Sequence, residues 1–217
     1  MKSNKFWVLF SLFILPLVFY IFLSKGIYKY ANLPILTENV IDVKEIDSLH
    51  KISFENNLTI LCFLGDEINT AKGSMFNLNQ TIYKRYYQKP LFQVVAILPE
   101  GTQQQYKSVI EELSAYTDIS KWQFVYANKP TIQLIFNSLN TPYVLDNNSY
   151  SENAYIVDMN LRLRGRKDDE DTSDGKLYGY SMKSISTLKN KMKDDIDIIY
   201  YQLKKSAEKE ARKKREN

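Results

Sequence analysis

Two uninterrupted apolar runs, LTILCFL at residues 58–64 and FQVVAIL at 92–98, constrain this chain more than any other feature. Each is short and rich in β-branched and aromatic residues, so each reads as a strand covered on both faces. Between them Met75, Leu78, Ile82 and Tyr86 recur at i, i+3, i+7 and i+11, the period of an amphipathic helix. Two strands joined through a helix pair in parallel. The chain therefore needs a central sheet sandwiched between helices.

The pattern continues past the second strand. Tyr106, Val109, Ile110 and Leu113 mark another helix, residues 122–126 a short strand, and Ile132, Ile135, Phe136 and Leu139 a further helix. Residues 154–158 and 161–164 read as a hairpin about Met159 and Asn160. Ile185, Leu188, Met192, Ile196, Ile199 and Leu203 predict a long final helix. The order β-α-β-α-β-α-β-β-α is that of an α/β, thioredoxin-like fold with an inserted strand–helix pair. Its mixed sheet is parallel first and closed by an antiparallel hairpin.

Residues 6–23, FWVLFSLFILPLVFYIFL, carry no charge over 18 positions. As a helix they would extend about 27 Å, enough for a hydrocarbon core. No small-x-small cleavage site follows, and Lys25 and Lys29 come directly after, so an uncleaved signal anchor is favoured over a signal peptide. Lys2 and Lys5 balance those two lysines, and orientation rests on the brevity of the leading segment, which places the body outside. The expected organisation is a cytoplasmic N-terminus (1–5), a transmembrane anchor (6–23), a linker (24–32), a thioredoxin-like domain (33–203) and a basic helical tail (204–217). The expected location is the cytoplasmic (inner) membrane, single-pass, with the soluble domain on the periplasmic side.

Seven basic and three acidic residues in 204–217 account for the whole formal charge of +4. The body is neutral, which excludes a nucleic-acid binder on charge grounds. One cysteine, Cys62, excludes an internal disulfide and a CxxC pair. One histidine, His50, lies in a polar stretch far from other donors, where a surface role outweighs metal ligation.

In a thioredoxin-like fold the chemistry sits where the first core strand meets its helix. Here that junction contains Gly65, Asp66, Glu67 and Thr70, and no cysteine. Asp66 and Glu67 suit a hard cation, although acids at a helix start also favour the helix dipole. Cys62 lies inside the apolar run, where a thiol is an inert small hydrophobe. Asp169, Asp171 and Asp174 form a candidate weak cation loop, but the stretch departs from a calcium loop. Counted from Asp169, Asp174 stands at the sixth position and Tyr180 at the twelfth, where Gly and Glu are required. No catalytic constellation and no cofactor are expected.

The segment SENAYIVDMNLRLRGRKDD (151–169) resembles the hairpin of the SCO/SenC family. Further similarities are the strand opening Trp122, Gln123, Phe124, Val125 and the run 60–85 with Tyr83, Lys84, Arg85, Tyr86 beyond it. So is the N-terminal anchor. The resemblance covers about residues 33–203 and implies a SCO/peroxiredoxin-type thioredoxin fold on a membrane anchor. Family members deliver copper to cytochrome c oxidase, or maintain its thiols, using Cys-x-x-x-Cys at the junction and a histidine before the hairpin. Residues 65–70 and 150–153 hold neither cysteine nor histidine, and carboxylates and amides replace soft Cu(I) donors poorly. The resemblance thus implies a degenerate site and a non-catalytic assembly or interaction factor, with a respiratory complex or its assembly machinery as protein partner. The alternatives are a thiol-dependent redox enzyme using Cys62 and an atypical copper chaperone.

Overall fold

The computed structural model describes residues 3–26, 32–46 and 51–216. It divides into two compact units, Leu33–Ile196 and a smaller one made of Met1–Asn32 with Asp197–Asn217.

The larger unit is built on the two apolar runs. Strands β1 (Ile35–Thr37), β2 (Leu58–Leu64), β3 (Phe92–Pro99), β4 (Trp122–Ala127), β5 (Tyr150–Val157), β6 (Leu163–Arg164) and β7 (Tyr180–Ser181) form one sheet. Its order is β1-β6-β5-β2-β3-β4, with β7 beside β5. Every residue of β2 and β3 is buried, as their continuous hydrophobicity requires. They run parallel, Ile60 opposite Val94 and Cys62 opposite Ala96, and β4 continues the parallel half. On its other edge β2 meets β5 antiparallel, and β5 folds back into β6. Strand order and direction are those of a thioredoxin-like fold, with β4 as the inserted strand.

Helices cover both faces. Helix α2 (Ile68–Leu78) continues through a π-helical turn, Asn79–Tyr83, into α3 (Lys84–Tyr86). Met75, Leu78, Ile82 and Tyr86 are all buried. Helix α4 (Gln103–Tyr116) follows β3, and α5 (Lys129–Ser138) follows β4. Leu61, Phe63, Val95 and Ile97 pack with Ile132, Ile135 and Phe136 of α5. Phe63, Phe136 and Tyr155 meet edge-on there, their ring centroids 5.2–6.2 Å apart. The alternate residues, Cys62 among them, face the opposite side of the sheet.

The final helical run comprises α6 (Ile185–Thr187), a second π-helical turn (Leu188–Met192) and α7 (Lys193–Glu216). Its predicted apolar face needs one correction: Ile185 is exposed. It sits in the first turn, where the Ser184 side chain caps the helix. Strands β1 and β7, of three and two residues, had no counterpart in the hydrophobic pattern.

In the smaller unit α1 (Ser3–Gly26) spans 24 residues and contains Pro16. The side chains of residues 7–21 are exposed. Among the described residues no helix is long and apolar enough to cross a membrane. The side chains of Phe6, Phe22 and Leu23, which belong to the expected anchor, lie outside that description, as does His50 altogether.

Candidate functional site

Strand β2 ends at Leu64, and the chain turns at Gly65 with φ +69°. A Cβ there would fall 2.8 Å from the Asn148 carbonyl oxygen and 2.8 Å from Tyr150 Cβ. Both the conformation and the close approach demand glycine. The reason is pairing: Leu64 lies opposite Tyr150, and Asp66 N–H donates to Asn148 O at 3.0 Å. The junction 65–70 and the start of β5 are therefore walls of one site. Their adjacency is a long-range fact that no local signal in the sequence carried.

Each wall is fixed by hydrogen bonds. Tyr106 Oη donates to the carbonyls of Leu64 (2.8 Å) and Gly65 (3.1 Å), and Gln105 Nε2 donates to Asp66 O. Asp146 Oδ1 accepts from the N–H groups of Asn148 (2.9 Å) and Tyr150 (2.8 Å), closing the turn that delivers β5. Asp66 pairs with Lys129 at 2.8 Å, and Glu67 accepts from Asn148 Nδ2 at 3.4 Å. Thr70 is half-buried in the first turn of α2. Glu67 precedes that helix without capping it through its side chain.

Between the walls, Ser74 Oγ and Tyr150 Oη share a buried hydrogen bond of 2.8 Å. An open cleft of about 530 Å³ adjoins it, lined by Pro142, Tyr143, Val144, Tyr150, Ser151 and Lys183 among others. Lys183 Nζ stands 5.7 Å over the Tyr150 ring and 3.5 Å from Glu152. Val144 is 82% exposed, an apolar group held out at the rim. Burial pushes the Tyr150 and Tyr143 hydroxyls upward, in Tyr150 against a lowering hydrogen bond from Ser74. Both stay neutral near pH 7. The cleft thus offers apolar contact, tyrosine and serine hydroxyls, the Lys183 ammonium and the carboxylates of Asp146 and Glu152.

Cys62 lies in β2 behind the junction, fully buried, its Sγ 3.7 Å from Val95 O. Burial pushes the thiol far above its ordinary range. Alkylation of the native chain by iodoacetamide should accordingly be slower than that of the urea-unfolded chain by about a hundredfold or more. Equal rates would show a thiol that reaches solvent and would restore it as a nucleophile.

In the acidic loop, Lys191 Nζ lies 2.7 Å from both Asp169 and Asp171, so an ammonium occupies the place a cation would take between them. Asp174 accepts from Lys176 N–H. Among the described residues no group of three or more His, Cys, Asp or Glu side chains is placed to hold a metal ion.

The residues that carried the family resemblance serve as braces. Arg164 Nη1 meets Asp158 Oδ2 at 2.9 Å, while its Nε and Nη2 donate to the carbonyl of Leu33. Arg162 reaches the same carboxylate at 2.8 Å. Burial would raise Asp158, but the hydrogen bonds from Arg162, Arg164 and the Asn160 N–H outweigh it and hold it below the usual carboxylate range. Gly165 faces Leu177 O at 2.2 Å from where a Cβ would stand. Arg166 clasps Asp195 through two nitrogens, and Tyr180 Oη donates to Asp195 at 2.6 Å. Burial dominates at Asp195 and leaves its carboxyl above its ordinary value despite both partners. Trp122 Nε1 donates to Asn79, and Tyr83 Oη to Asp118 O. Sequence reading missed Asp195 and Tyr180, which lie 29 and 14 positions from Arg166.

No family model matches the chain, and no curated protein matches it in sequence. Solved structures do. The chain is similar to BsSco, a member of the Sco family of cytochrome c oxidase assembly proteins, at 11% identity and a TM-score of 0.48, over 78% of this chain and 96% of that one. It is similar to a SCO1/SenC family lipoprotein from Bacillus anthracis at 14% identity and a TM-score of 0.47, over 79% and 96%. A third is the thioredoxin domain of a thiol-disulfide oxidoreductase from Bacteroides vulgatus, at 18% identity and a TM-score of 0.40, over 74% and 91%. SCO/SenC proteins thus stand among the structures this chain is similar to, as they stand behind the resemblance of its hairpin.

Proposed function

We propose that this chain is a membrane-anchored SCO-like protein whose thioredoxin-type site has lost its chemistry, and that it acts outside the cytoplasm as a non-catalytic assembly or interaction factor. One observation carries the reading. Where a thioredoxin-type site would hold thiols and an imidazole, α2 meets β5 through Ser74 with Tyr150, and the junction meets α5 through Asp66 with Lys129. Hydroxyl, carboxylate and ammonium groups neither exchange disulfides nor hold Cu(I) well. Cys62 is fully buried in β2. What the cleft keeps is a contact surface of mixed apolar and polar character, suited to a protein partner. A respiratory oxidase or its assembly machinery is the partner class suggested by the family resemblance alone.

The anchor is residues 6–23, carried on helix α1 with its side chains exposed from Trp7 to Ile21. The domain boundaries drawn from the sequence, 33–203 and 204–217, belong to the same proposal; in the loop of Asp169, Asp171 and Asp174 the cation is the Lys191 ammonium, held by Asp169 and Asp171.

The test is complementation. In a strain lacking this chain, the Cys62→Ala form should restore oxidase activity fully, and the purified full chain should lose Cu(I) to a bicinchoninate competitor. A Val144→Glu, Lys183→Glu form should fold but fail to complement. Stoichiometric copper retained against the competitor, or failure of the Cys62→Ala form alone, would replace this reading with a metal or thiol function.

A further inference from the structure

The smaller unit holds both ends of the chain, Met1–Asn32 and Asp197–Asn217. Within it Gln202 Nε2 donates to Asn32 Oδ1 at 2.6 Å. Asn32 follows the last residue of α1 by six positions, so the contact holds Gln202 within about 20 Å of the end of α1, the reach of six extended residues. Helix α7 then continues from this point to Glu216.

One face of that helix is basic. Tyr201, Lys204, Lys205, Glu208 and Lys209 fall at i, i+3, i+4, i+7 and i+8 and line a shallow hollow of about 520 Å³. Lys204, Lys205 and Lys209 are exposed and form no ion pair among the described residues. In the larger unit, by contrast, Lys72, Lys129, Lys183 and Lys191 each meet a carboxylate. A row with three lysines to one glutamate, in the same unit as an apolar helix, has a net positive charge that anionic lipid headgroups complement.

We propose that the face of α7 bearing Lys204, Lys205 and Lys209 lies against the anionic surface of the membrane in which α1 is anchored. The proposal rests on the anchor reading above. Attraction of this kind needs no base of apolar insertion, falls off within a Debye length and weakens with salt.

The experiment uses the full chain with Ser206→Cys, labelled with an environment-sensitive fluorophore while buried Cys62 stays unlabelled. It is reconstituted into vesicles of phosphatidylcholine alone and of phosphatidylcholine with phosphatidylglycerol, and alkaline carbonate extraction confirms insertion in each. Quenching by acrylamide, a neutral solute, should fall severalfold in the phosphatidylglycerol vesicles and return at molar salt. Lys204→Gln, Lys205→Gln, Lys209→Gln together should abolish the difference. A chain that resists extraction from both vesicles but is quenched equally in both overturns the tail proposal alone. A chain extracted from both overturns the anchor, and the tail proposal with it.

Discussion

Asp158→Ala should destabilise the chain by about 3–5 kcal/mol, read as urea unfolding followed by the fluorescence of buried Trp122. The carboxylate serves Arg162 and Arg164, and the Arg164 side chain is only 8% exposed. Removing the acid takes from this largely buried guanidinium the carboxylate that its Nη1 meets at 2.9 Å. The pH dependence supplies a second reading. The folded-state pKa of Asp158 lies below its unfolded value, so its contribution is complete above the unfolded pKa of about 4 and is lost as pH falls through the folded one. The Ala form should lack that part of the acid loss. A penalty below about 1 kcal/mol would mean that the hairpin stands without this brace.

Asp195→Ala should cost a similar amount, about 3–5 kcal/mol, because Arg166 and Tyr180 lose the carboxylate that joins them. Its acid behaviour has the opposite sign. The folded-state pKa is raised, so the folded chain binds a proton more readily than the unfolded chain. As pH falls from that raised value to about 4, this group adds stability. Asp195→Asn keeps much of the hydrogen bonding and removes the titration, so its stability curve should lose the acid-side gain. An unchanged curve would show that Asp195 titrates normally, with its burial compensated in full. The two carboxylates occupy braces on either side of Gly165, and one measured pH profile separates them.

These braces also mark where sequence reading stopped. Leu58–Leu64 and Phe92–Pro99 were legible because burial on both faces writes itself into every residue. Met75, Leu78, Ile82 and Tyr86 were legible because the helix period does the same on one face. Ile185 misled because the period continued one turn beyond the surface that requires it. Strands β1 and β7 owe their existence to neighbours already in place, so two or three residues carried no period to detect. At the site, the position of the junction followed from fold order, and its lack of thiol from composition. Its second wall did not follow: Asn148 and Tyr150 reach Gly65 through the β2–β5 register, and Lys129 reaches Asp66 from the inserted segment. Asp195 and Arg166 are ordinary surface letters until the last helix folds back over the hairpin.

The grip of Arg164 on Leu33 has a mechanical meaning. Leu33 and Pro34 are the first residues of the larger unit, and their carbonyls accept from Arg164 and Gly165 some 130 positions later. Immediately beyond, β1 pairs antiparallel with β6, Thr37 Oγ1 donates to Leu139 O, and Val40 N–H to Leu161 O. Tension entering through residue 32 is therefore met by several bonds spaced along β1, loaded together, before any of it reaches β2 and β3. A tether attached at this end loads the rim of the sheet, β1 and β6, first, and reaches the cleft only through β5, the strand with which β6 pairs.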